Sequence, residues 1–417
     1  MDSIHIQGGI NLQGKVRIQG SKNAALPVLA ATLLTKETSY IYNCPRIADV
    51  HRMISLLRSL GCYVRWMDGG ICVNAENIQC GDMPAEAITG MRSSICLLGA
   101  LLGRCGEVVM EHPGGCVIGE RPIDLHINAL TAMGVDFREE NDRLRARAER
   151  LHGADIVLPF PSVGATENIL LAAVTAEGDT HIEGAAREPE VAALCRYLEG
   201  CGAEIEGIGT SRLTIRGGRM LYGSDFSIMA DRIVAGTYLL GCVGTGGNVL
   251  LENAPGEQME AVLYAAKQMG AQCTRSEEGI YVQAPSIPCP IECLRTEVYP
   301  GFPTDLQSVA LAVLVRASGT SRIEETIFEN RFRIAEPLVR MGADITLQGS
   351  RLAEINGVER LHGACVEAKE LRGGAALVLA GLMAEGESIV SGYSYIYRGY
   401  ENICKDLREL GARIVSV

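Results

Sequence analysis

The 417-residue sequence lacks any apolar run near the roughly 20 residues that a membrane helix needs. Its longer runs, such as Ile95 to Leu102, stop far short, so membrane insertion is not expected. The opening residues, Met1 to Gln7, hold no apolar stretch of the secretory-signal kind. Positive charge is also in short supply: 38 Lys and Arg face 50 Asp and Glu, for a net charge of −12 and a pI near 5.2. That balance argues against a general nucleic-acid or anionic-membrane surface, and confines any anion site to a local cluster of basic residues. No C-x2-C pair occurs, and the nearest approach, Cys289 with Cys293, has no second pair or histidine beside it, which disfavours zinc. The fifteen cysteines are scattered and odd in number, so a reducing cytoplasm is expected and a disulfide framework is not. What is present is an ordinary globular composition, 47% apolar and 21% charged, in a chain long enough for two domains.

The chain repeats itself. A helical segment ends in glycine and turns into a short apolar strand at Gly61, Gly134, Gly202, Gly270, Gly342 and Gly411, at intervals of 68 to 73 residues. Glycine at such a point is a helix stop, and the alternation after it marks a strand. A second series runs in step: small-residue apolar helices end at Gly106, Gly178, Gly246, Gly319 and Gly386, with Glu37 in the first unit. Units of about 70 residues are too long for a solenoid and indicate duplicated folding units, dividing as three plus three.

Fourteen residues before the second series stand Asn23, Arg92, Gly164, Arg232, Asp305 and Arg372, at the starts of equivalent helices. Helix N-termini carry unpaired N–H groups and partial positive charge, and so are ready anion sites. Arginine there opposes the helix dipole, which makes its recurrence notable, although arginine at a helix start is often solvated surface. Ser162-Val163-Gly164 offers backbone and hydroxyl donors suited to a pyrophosphate. Asp305 reads either as a helix cap, in competition with Thr304, or as a base. Lys22, Arg121, Arg331 and Arg398 suit a small, multiply charged anion, although each alone reads equally as a surface ion pair.

The stretch from Glu111 to His126 sets Cys116 among Gly114, Gly115 and Gly119, five residues before Arg121 and between Pro113 and Pro122. Two readings stand: a mobile reactive loop, or a small buried apolar cysteine.

These motifs together resemble the UDP-N-acetylglucosamine 1-carboxyvinyltransferase family over nearly the whole chain. The specific pieces are Gly20-Ser21-Lys22-Asn23, Met91-Arg92-Ser93-Ser94, the Cys116 loop through Arg121 and His126, and Ser162-Val163-Gly164-Ala165-Thr166. Ala185 to Glu190, Phe302 to Asp305, Phe328 to Arg331 and Arg398 to Glu401 complete the set. The resemblance implies an α/β fold of two similar domains, each with three repeated units of helices and mixed strands around buried helices, an inside-out α/β barrel. The first domain would span residues 22–229 and carry the Cys116 loop; residues 1–21 and 230–417 would form the second and carry Asp305.

The implied reaction moves the enolpyruvyl group of phosphoenolpyruvate onto the 3-hydroxyl of UDP-N-acetylglucosamine with release of phosphate, the first committed step of peptidoglycan synthesis. No cofactor or metal is implied. Cys116 resembles the acid that protonates phosphoenolpyruvate and forms a covalent adduct with it, and Asp305 the base toward the sugar hydroxyl. An unperturbed thiol has a pKa of about 8.5, so it holds a proton to donate at neutral pH. Lys22, Arg121 and Arg398 are similar to phosphoenolpyruvate ligands, with Arg331 and Arg372 assisting. Asn23, Arg92, Pro122, Ile123, Asp124, Leu125, Ser162, Val163, Gly164 and Ile327 resemble the UDP-sugar contacts. The chain departs from the family pattern at Phe160, Glu370, Tyr395 and Tyr397, where lysine, aspartate, histidine and aspartate occur in other members. Two further readings are the sister transfer to shikimate 3-phosphate, which does not rely on a loop cysteine, and a silent paralogue that binds the UDP-sugar.

Overall fold

All six glycines of the first series adopt φ between 88° and 101°, the left-handed conformation that ends a helix and that a side chain resists. The computed structural model describes residues 3–82, 95–111, 122–140 and 143–417. Within them Gly106, Gly178, Gly246 and Gly386 of the second series also take positive φ. Gly319 does not; a Cβ there would instead meet Pro290 at 3.2 Å.

Each repeat builds a four-stranded sheet of one plan. The strand after the second-series position pairs parallel with one short strand on one side and antiparallel with another on the other side. That second partner pairs antiparallel with the strand after the first-series glycine. In one repeat these are Asp155–Val157, Asp179–Glu183, Arg212–Arg216 and Glu204–Glu206. Alternation of buried and exposed residues, as in Asp179–Glu183, turns one face of each sheet inward.

Three sheets recruit a strand from far along the chain. Ser3–Gln7 lies between Glu387–Ser391 and Arg413–Ser416, and Gln13–Arg17 runs parallel to Asn248–Glu252. Asp225–Ser227 runs parallel to Thr38–Tyr42. Contacts divide the described residues into two units, one drawn from residues 20–229 and the other from the N-terminal residues to Gln19 with Ala230–Val417.

The second-series helices form the centre of each unit. In the unit with Ala230–Val417 they are Arg232–Thr245, Gln307–Leu314 and Leu371–Met383, packed on one another and buried almost throughout. Helices apolar on every side are stable only inside a core. In the other unit Leu97–Cys105 packs against both Lys22–Ala31 and Val163–Ala173. Gly99 makes the closest approach: a Cβ there would fall 2.2 Å from the Asn168 carbonyl oxygen, and its N–H donates to Asn168 Oδ1 at 2.7 Å. Amphipathic helices such as Ala48–Ser59 and Pro189–Gly200 lie outside them. Among the described residues no helix is long and apolar enough to cross a membrane.

One feature departs from the expectation drawn from scattered cysteines. Cys80 and Cys105 form a disulfide across 25 residues, because the end of Leu97–Cys105 returns beside the strand at Gly81.

Candidate functional site

Asp305 occupies the 3-10 turn Thr304–Leu306 that leads into Gln307–Leu314. Neither it nor Thr304 serves as the expected cap. Asp305 Oδ1 accepts from Arg331 Nη2 at 2.6 Å, while Oδ2 accepts from Arg372 Nη2 and Nε at 3.1 and 3.3 Å. Both arginine side chains are almost fully buried, at 2% and 3% exposure, whereas the Asp305 side chain keeps 27%. The geometry therefore fixes a carboxylate against two guanidinium groups and leaves part of it open.

Arg372 is held from behind as well. Its guanidinium lies 5.7 Å from the Tyr400 ring and donates to the phenol oxygen at 3.5 Å, and that phenol pairs with Thr237 Oγ1 at 2.8 Å. Burial works against the charge on Arg372, but the Asp305 carboxylate and the Tyr400 phenol outweigh it and raise its pKa above the ordinary arginine value.

The helix starts differ from the open anion sites that their position suggests. Asp231 caps Arg232–Thr245, accepting from the Ile233 and Val234 N–H groups at 2.8 and 3.1 Å. Glu370 caps Leu371–Met383, accepting from the N–H groups of Arg372 and Gly373. These acids satisfy the terminal donors and offset the arginine beside each helix end. The terminal N–H groups beside Arg372 are thus already occupied. The Arg398 backbone N–H donates to Tyr395 O at 3.3 Å, just after the short helix Tyr393–Ile396. Gln19 brackets this segment, donating to Gly399 O at 3.2 Å and accepting from Glu401 N at 2.8 Å.

In the unit of residues 20–229, Lys22 begins Lys22–Ala31, with Asn23 next to it and Ser21 capping through Ala24 N. Lys22 Nζ sits 3.4 Å from Oδ2 of the buried Asp49. Ser162 likewise caps Val163–Ala173 through Ala165 N at 3.3 Å. The helix Asp124–Ala132 docks beside this start, because buried His126 pairs with Asn168 Nδ2 at 3.1 Å and Asn168 also donates to Gly164 O at 3.1 Å. The run Pro122 to Leu125 is thereby brought to Ser162-Val163-Gly164, and all are at least partly exposed. A Cβ on Gly164 would come within 3.1 Å of the His126 ring. Arg92, Cys116 and Arg121 lie outside the described residues.

The family model for EPSP synthase (3-phosphoshikimate 1-carboxyvinyltransferase) matches residues 6–407. The chain is 45% identical over its full length, and that of the relative, to UDP-N-acetylglucosamine 1-carboxyvinyltransferase 2 of Caldanaerobacter subterraneus. It is 44% identical to the UDP-N-acetylglucosamine 1-carboxyvinyltransferase of Nitratidesulfovibrio vulgaris, with 99% of each chain covered. This chain belongs to the UDP-N-acetylglucosamine 1-carboxyvinyltransferase family. The enolpyruvyl transferase NikO from Streptomyces tendae shares the fold at a TM-score of 0.88 and 22% identity, over 99% of this chain and 98% of that one. EPSP synthase from Acinetobacter baumannii does so at 0.76 and 18%, over 100% and 99%.

Within this carboxyvinyltransferase family member, the departures from the family pattern have definite places. Glu370 supplies the helix cap, its extra methylene still allowing contact with two N–H groups. Tyr397 stacks on Tyr393 with ring centroids 6.4 Å apart, while Tyr395 and Phe160 are exposed. Sequence patterns missed His126, Asn168, Tyr400 and Glu325, whose roles arise from contacts across the fold. The signal available for His126 and Tyr400 was their place inside the quoted motifs; Asn168 and Glu325 left none.

Proposed function

We propose that this chain transfers the enolpyruvyl group of phosphoenolpyruvate to the 3-hydroxyl of UDP-N-acetylglucosamine, releasing phosphate, in peptidoglycan synthesis. One observation carries the reading: the chain is similar end to end, at 45% identity, to a protein whose name states that activity. A cytoplasmic setting, the site of such synthesis of nucleotide-linked precursors, is part of the proposal.

The residue assignments belong to the same reading. Asp305, oriented by Arg331 and Arg372, receives the proton of the sugar hydroxyl as its oxygen bonds to the carbon that bears the phosphate. A proton passes from Cys116 to the methylene carbon, giving a methyl group and a tetrahedral adduct. Elimination then returns a proton from that methyl as the C–O bond to phosphate breaks and the double bond re-forms. Lys22, Arg121 and Arg398 bind phosphoenolpyruvate, and Arg331 and Arg372 assist at its carboxylate. Asn23, Arg92, Pro122 to Leu125, Ser162 to Gly164 and Ile327 contact the UDP-sugar. The unit of residues 22–229 acts as the Cys116 domain, and residues 1–21 with 230–417 as the Asp305 domain.

The test is turnover of purified protein with phosphoenolpyruvate and UDP-N-acetylglucosamine, read as phosphate release and product mass. Stoichiometric phosphate and enolpyruvyl-UDP-N-acetylglucosamine are expected; sugar binding without turnover would leave only a silent binder.

A further inference from the structure

Glu325 is fully buried, yet it belongs to none of the groups assigned above. A buried carboxylate persists only when its oxygens are well satisfied, and these are. Oε1 accepts from the N–H groups of Ile327 and Phe328 at 2.8 and 3.1 Å. Oε2 accepts from the Thr304 hydroxyl at 2.9 Å.

These contacts close a ring in the structure. Thr304 and Asp305 are adjacent; Thr304 is tied to Glu325, and Asp305 to Arg331. The loop from 325 to 331 is thus pinned at both ends to one 3-10 turn, with Ile327 between the pins. The loop is braced on its far side too. Thr326 exchanges two hydrogen bonds with Thr296, at 3.0 and 2.6 Å, and Arg351 Nη1 donates to the carbonyl oxygens of Glu325 and Thr326 at 3.3 and 2.8 Å. The Glu325 carboxylate thus links the Ile327 N–H directly to the turn that carries Asp305.

We infer that Glu325 is a positioning residue for the UDP-sugar, setting the spacing between the Asp305 carboxylate and the Ile327 backbone through Thr304. The inference rests on the reading of Asp305 and Ile327 as UDP-sugar contacts. A neutral Gln at 325 keeps an acceptor for the two N–H groups and turns toward Thr304 an amide N–H that can donate to its hydroxyl, so the charge-assisted link becomes a neutral one. Valine at 304 keeps the shape of threonine and removes the hydroxyl.

The experiment is a double-mutant cycle with Glu325→Gln and Thr304→Val, measuring kcat and both KM values. Thr304→Val is expected to raise KM for UDP-N-acetylglucosamine about tenfold, the size of one charge-assisted hydrogen bond, and Glu325→Gln about threefold, with KM for phosphoenolpyruvate changed less than about twofold. Since both substitutions act on the same link, Glu325→Gln should add little once Thr304→Val has removed the hydroxyl, and the double variant should resemble Thr304→Val. Unchanged KM values, equal changes in both, or independent effects that multiply would each overturn the inference. Should one variant fail to fold, the other carries the same KM comparison. A wild-type protein without turnover defeats the functional reading and this inference with it, whereas wild-type turnover with unmoved variants defeats the inference alone.

Discussion

Arg372 reaches Asp305 across 67 residues of sequence, placing two guanidinium donors on Oδ2 while Arg331 takes Oδ1. The carboxylate is consequently fixed in direction, which the proposed role of Asp305 as a base requires if its reach is to count.

Asp305→Asn keeps the shape of the side chain and removes its ability to take a proton. We expect kcat to fall by about 10²- to 10⁴-fold with little change in KM for phosphoenolpyruvate. Steady-state kinetics on the folded variant check this; activity within twofold of wild type would exclude Asp305 as the base.

Gly164→Ala places a methyl group 3.1 Å from the His126 ring, which its bond to Asn168 holds in place. Displacing the start of Asp124–Ala132 should raise KM for UDP-N-acetylglucosamine by roughly five- to tenfold, equivalent to about 1 kcal/mol of overpacking. Kinetics with each substrate varied in turn would reveal the asymmetry.

Stability should depend on pH through Asp406, which accepts from the Tyr238 hydroxyl at 2.6 Å. Burial raises its pKa from 3.8 to about 6, with the Tyr238 bond working in the opposite direction. The folded protein therefore holds this proton more tightly than the unfolded chain. The resulting penalty is absent below pH 3.8, grows as pH rises to 6 and is complete above it, at roughly 3 kcal/mol. Asp406→Asn should be more stable than wild type at pH 7 to 8, and the difference should vanish near pH 4. Denaturant unfolding across that range provides the measurement.

The Cys80–Cys105 bridge closes a loop across 25 residues of sequence, a length for which chain entropy gives roughly 3 to 4 kcal/mol. Cys105→Ser should lower the melting temperature of the unit of residues 20–229 under oxidising conditions. Under a strong reductant the variant and wild type should converge. Calorimetry with and without dithiothreitol distinguishes these outcomes.

Much of the repeat architecture was legible because a helix stop needs a residue tolerant of positive φ, and that need leaves glycine in the sequence at Gly61 and its five counterparts. The buried central helices were legible for a similar reason, since runs like Leu371–Met383 are apolar on every side. The contacts that decide geometry were not. Glu325 follows another glutamate in an ordinary strand exit, and only its closeness to Thr304 separates it from a solvated acid. Arg232 and Arg372 suggested open anion sites because sequence position alone does not show where the Asp231 and Glu370 carboxylates turn. Cys80 and Cys105 belong to no spacing pattern; their pairing follows from where a helix ends in space.

The most direct measurement offers the protein labelled phosphoenolpyruvate with equal concentrations of UDP-N-acetylglucosamine and shikimate 3-phosphate, and identifies the products by mass. The account predicts that the enolpyruvyl group appears on the UDP-sugar, with one phosphate released per product. Its appearance on shikimate 3-phosphate alone, or on neither acceptor, would contradict it.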